Sequence, residues 1–91
     1  MEVKQVASEI TLVHGFMGPE GETKTIKFRK GRAGDLKIMD GKGDHEGMIA
    51  FSAALAGLTP RMVEGMDLED YAMVMREVRR FLSVLKDAVT S

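Results

Sequence analysis

Seven apolar residues near the end of the chain, Leu68, Tyr71, Met75, Val78, Leu82, Leu85 and Val89, recur at spacings that alternate between three and four. That spacing lines residues along one face of an α-helix and of nothing else in the regular repertoire. Asp67 is a good N-cap for it, and Glu69 and Asp70 place negative charge in the first turn, where the helix dipole favours it. The result is a rod roughly 30 Å long. Its seam, Tyr71, Met75, Val78, Leu82 and Leu85, spans roughly 80° of the helix, and Val74 and Phe81 widen the apolar arc to about 120°. An arc of that width covers a core, and these residues are expected to pack against the rest of the chain.

Ahead of this helix the hydrophobic period is two. Val6, Ile10 and Leu12 alternate with Glu9 and Thr11, and Ile26 and Phe28 alternate with Thr25, Lys27 and Arg29. The two runs predict an antiparallel hairpin over about residues 6–30. Gly15 to Gly21 is expected to form a long connecting loop, with Pro19 at the second position of a turn and Gly21 at its fourth. A lone hairpin is marginal in water, so helices must cover it.

The middle of the chain supplies them. Asp35 to Met39 is expected to form a short helical turn before the Gly41-Lys42-Gly43 break. Glu46 to Ala56 is alanine-rich and apolar nearly all round, which favours a buried central helix ended by Gly57. Thr59-Pro60 reads as an N-cap and first helical residue of a short helix that Gly65 stops. The predicted fold is therefore α+β. The N-terminal hairpin packs on about three helices, the C-terminal one longest, in a single domain with its helical part at about 34–89.

A domain of this size buries only about 60–65% of the surface its unfolded chain exposes, so a partner or a second copy would add stability. Thirteen basic residues against fourteen acidic ones give no global field to recruit nucleic acid or an anionic membrane. The six basic residues from Lys24 to Lys37, against the single acid Asp35, are expected to form a solvated strand face and not a phosphate-binding surface. No segment approaches the roughly 20 apolar residues of a membrane span, and Met1 to Gln5 lacks a signal-peptide pattern. With no cysteine present, the expectation is a soluble protein of a reducing cytoplasm.

Catalytic chemistry finds no foothold. The serines sit in no recognisable elbow, and His14 and His45 lie in different parts of the chain. Asp44-His45-Glu46 is expected to be a solvated loop, since adjacent residues do not face one another. No catalytic, cofactor or metal site is expected. What remains is binding. Met73, Phe81, Val84 and Ala88 form a second apolar stripe beside the seam, on a flank expected to face water, and eight methionines suit an adaptable surface. This stripe is the candidate site for a protein partner or for self-association.

The order of elements, with Arg32-Ala33-Gly34-Asp35-Leu36 after the hairpin, Ala54-Leu55-Ala56-Gly57-Leu58-Thr59-Pro60 closing the central helix, and Leu68-Glu69-Asp70-Tyr71 opening the last one, resembles the tail assembly chaperones of contractile-tailed phages and prophages of the Mu-like and P2-like groups. The resemblance covers about residues 9–85. It implies a non-enzymatic assembly factor of the host cytoplasm that binds the tape measure protein, helps the tail tube form around it and is absent from the finished virion. It also implies that Arg32 and Asp35 are structural, a capping carboxylate and its neighbour. From the residues alone, a small dimeric regulatory or antitoxin-like protein acting through the C-terminal helix is the alternative.

Overall fold

The computed structural model describes the backbone of residues 6–90 and the side chains of residues 6–84. Its elements run β1 (Val6–Gly18), β2 (Gly21–Arg29), a 3-10 helix (Ala33–Met39), α1 (Asp44–Ala56), α2 (Pro60–Glu64) and α3 (Leu68–Thr90). The architecture is α+β, an antiparallel two-stranded hairpin followed by helices of which the last is longest.

The hairpin differs from expectation at its connection. Gly15 to Gly18 belong to β1, and the connection is a tight turn at Pro19 and Glu20 between the paired residues Gly18 and Gly21. Pairing runs in step from Glu9↔Lys27 to Thr11↔Thr25, then slips to Phe16↔Thr23. Leu12 to Gly15 thus bulge opposite the single residue Lys24. A bulge interrupts apolar alternation without ending a strand, which is why Gly15 reads as the start of a loop. Gly15 adopts φ +89°, open to glycine at little cost.

The helices are punctuated by chemistry legible in the sequence. Gly57 closes α1 at φ +71°, its N–H reaching the carbonyls of Ala53 and Ala54. The Thr59 hydroxyl caps α2 by accepting from the Met62 N–H, with Pro60 in the first turn. Asp67 caps α3 by accepting from the Glu69 N–H at 2.9 Å. α1 begins at Asp44, two residues before the predicted Glu46, so Asp44-His45-Glu46 forms a first helical turn and not a loop.

One apolar cluster unites the layers. Leu12, Phe16, Ile26 and Phe28 of the hairpin join Phe51, Ala53 and Leu55 of α1 and Val74, Met75 and Val78 of α3. Phe28 and Val78 are fully buried. Phe28 meets the Phe81 ring edge-on, with centroids 5.9 Å apart. The inward face of α3 centres on Asp70, Val74, Met75 and Val78. It is rotated roughly 35° from the centre of the predicted seam, toward the side of Val74 and Phe81. Leu68, in phase with the seam but ahead of its first residue, is 82% exposed. Asp70 marks the edge toward which the helix is turned.

Candidate functional site

Asp70 is completely buried. Its carboxylate accepts from the backbone N–H groups of Val13 (2.8 Å), His14 (3.1 Å) and Gly15 (2.9 Å), the donors that the bulge withdraws from the β ladder. Orphaned backbone donors must be satisfied, and a carboxylate does so more strongly than a neutral acceptor. Burial by itself pushes the Asp70 carboxyl up. The three N–H donors, helped by His14, outweigh that effect and hold it below the usual carboxylate range.

His14, at the same bulge, turns outward. Its Nε2 donates to Glu69 Oε1 at 2.7 Å and lies 3.7 Å from Asp67 Oδ1. The Glu69 hydrogen bond raises the imidazole above its ordinary 6.5, against a smaller effect of burial, with the charges of Asp67 and Asp70 adding to the rise. His14, Asp67 and Glu69 bring one ligating atom each within 4.8 Å of one another, and all three are exposed. His14 stands more than fifty positions from Asp67 and Glu69 in the sequence, so pattern reading assigned the three no common role. Their observed work is to pin the N-terminus of α3 to β1.

A candidate binding surface lies at the opposite end of the described part of α3. A cleft of about 680 Å³ opens between α3, α1 and the segment joining β2 to the 3-10 helix. Leu36, Phe51, Phe81, Leu82 and Val84 supply its apolar lining. Among the described residues, every charged one that lines it is basic: Lys30, Arg32 and Arg80. Arg80 is held by Glu77 at 2.9 Å. Arg29, next to the rim, is bound by Asp35 through two hydrogen bonds of 2.9 and 2.8 Å. Asp35 also accepts from the Arg32 N–H at 2.8 Å. The Arg29 guanidinium first, and that N–H second, hold the Asp35 carboxyl at about 2. This knot fixes the wall from which Lys30 and Arg32 project.

The four stripe residues do not share one environment. Phe81 and Val84 line the cleft, Phe81 half-buried and Val84 66% exposed. Met73 is half-buried and lies outside the cleft lining. Between Met73 and Val84 along that flank comes the Arg80–Glu77 ion pair, which interrupts the stripe. Ala88, and with it Leu85 and Val89 of the seam, lies outside the described side chains. Of the remaining seam residues, Met75 and Val78 are in the core, while Tyr71 and Leu82 are partly buried against it. Leu36 and Phe51, two cleft residues given no binding role by the sequence, come from elements whose place beside this end of α3 no local pattern announces.

A second cleft, of about 710 Å³, lies between the first turn of α1 and α3 and includes Met48, Tyr71 and Met75. Its charged residues are of both signs, Asp44 against Arg76 and Arg79. Among the described residues no helix is long and apolar enough to cross a membrane.

Comparison with known proteins adds one finding to this geometry. The family described as "Phage tail assembly chaperone proteins, E, or 41 or 14" matches residues 9–83, most of the chain. The match takes in both strands, the 3-10 helix, α1, α2 and α3 as far as the cleft. No curated protein and no solved structure is similar enough to count as a match.

Proposed function

The chain belongs to the phage tail assembly chaperone family, and on that premise we propose that it binds the tape measure protein, keeps it soluble in the host cytoplasm and helps the tail tube form around it. The role needs a binding surface and no catalysis. Phage tail assembly implies protein partners, and a tape measure protein is the long helical component for which an apolar, adaptable surface is suited. The observation that carries this reading is the apolar cleft beside Phe81 and Val84, open at the surface of a chain whose family works on other proteins.

Co-expression tests it directly. A tape measure fragment from the same phage or prophage genome should become soluble with the chaperone and migrate with it through size exclusion. If the fragment stays insoluble and no complex survives the column, the tape measure reading is wrong. Self-association is read from the same column, by light scattering on the chaperone alone.

A further inference from the structure

We infer that the cleft between α3, α1 and the 3-10 helix receives an apolar helical segment flanked by acidic residues; the inference rests on the partner-binding reading above and names what the partner must present. Its floor is apolar, and a cleft of this volume accommodates several large side chains. Its charge is of a single sign. Lys30 and Arg32 are exposed and make no ion pair among the described residues, and Arg80 adds a third cation already matched by Glu77. An occupant with basic flanks would meet like charge as it docked, whereas acidic flanks complement the rim.

The occupant's backbone follows from the walls. They are mainly helical, with main-chain groups satisfied internally, and β1 reaches the lining only at Ala7. An extended peptide would find few partners for its N–H and C=O groups there. A helix brings its own hydrogen bonds and offers apolar side chains at i, i+3, i+4 and i+7.

A second copy of this chain fits less well. Its longest element, α3, carries Arg76, Arg79 and Arg80 on its exposed side, which would set cations against the cationic rim. Of the large apolar residues exposed elsewhere, Val6, Val13 and Met17 lie on β1, and Leu68, between Asp67 and Glu69, is a single residue at the start of α3 and not a helical stripe.

The test uses the full chain and two fluorescein-labelled helical peptides of about 20 residues, with leucine on one face at helical spacing. One peptide carries glutamate beside that face and the other lysine. Fluorescence anisotropy at low salt should show the glutamate peptide binding at least roughly tenfold tighter, with the gap narrowing as salt rises. Lys30→Glu with Arg32→Glu should invert the preference. Val84→Asp should abolish binding of both peptides while thermal unfolding stays at the wild-type temperature.

Equal affinity for the two peptides, no binding of either, or a preference that survives the charge reversal would overturn the inference. So would a wild-type mass by light scattering that Val84→Asp halves, because the cleft would then be covered by a second copy. The two readings fail separately. Undiminished capture of a tape measure fragment by the Val84→Asp chain would leave the chaperone function standing and remove the cleft from it. Binding of the glutamate peptide without capture of the fragment would do the reverse.

Discussion

Asp70 of α3 and Gly15 of β1 are joined by a 2.9 Å hydrogen bond, from the Gly15 N–H to a carboxylate oxygen that water does not reach. With the parallel bonds from Val13 and His14, it makes one side chain the anchor between the hairpin and the longest helix.

Replacing that anchor should cost far more than a surface acid. Asp70→Ala leaves three backbone donors buried without an acceptor. It should destabilise the fold by about 2–4 kcal/mol, lowering the midpoint of thermal unfolding by roughly 10–25 °C. Asp70→Asn keeps one acceptor oxygen and should fall between alanine and wild type. Circular dichroism melts of the two variants check the order. An Asp70→Ala melt within a degree or two of wild type would mean that the bulge can be satisfied without this carboxylate.

Gly15→Ala tests the other partner of the bond. At φ +89° a side chain is strained, and its Cβ would stand 3.0 Å from both Lys24 Cγ and the Thr23 carbonyl oxygen. The lysine can give way, but the backbone oxygen cannot. A loss of about 1–3 kcal/mol is expected from urea denaturation. Gly34→Ala, where the added carbon meets nothing within 4 Å, is the matched control and should be nearly neutral.

The same region sets the pH dependence. Asp70 and Asp35 are held below their ordinary value of 3.8, Asp35 at about 2, so the stability they contribute is fully present above that ordinary value. It is lost as pH falls through the lowered ones. His14 is raised above 6.5, so its contribution is complete below 6.5 and disappears as pH rises through the raised value. Urea denaturation across pH should therefore show a plateau bounded by a loss on each side. His14→Gln should flatten the alkaline limb and leave most of the acid limb, and Asp70→Asn should shrink the acid limb to the part that Asp35 and Glu77 supply.

Phe81 and Val84 line one cleft but should separate cleanly. Phe81 packs its ring on the buried Phe28, so Phe81→Ala should cost about 2–3 kcal/mol as well as weaken partner binding. Val84 is largely exposed, and Val84→Asp should change stability by less than about 0.5 kcal/mol. Melts combined with capture of a tape measure fragment measure both effects. Equal loss of stability in the two variants would contradict this division.

Most of the secondary structure was legible because its causes are local. Gly57, Thr59-Pro60 and Asp67 act within a turn of their own positions, and a period of two or of three and four is a property of contiguous residues. The same locality explains the errors. Gly15 looked like the start of a loop because a bulge breaks alternation as a loop does. Leu68 stands in phase with Tyr71 and Met75 and yet faces solvent. The cleft was half visible: Phe81 and Val84 stood out on α3, while Leu36, Phe51 and the basic rim are brought to them from elsewhere in the chain.

The sequence by itself determined the element order, the helix boundaries set by caps, the apolar character of α1 and α3, and a resemblance to the family to which the chain belongs. Tertiary structure alone decided how far α3 turns about its axis to bring Asp70 inward. That rotation follows from the need of three N–H groups in a bulge for an acceptor, which Asp70 meets from more than fifty residues away. A hydrogen bond of that range leaves no trace in local periodicity, because hydrophobic pattern records what avoids water and not which polar group another polar group requires.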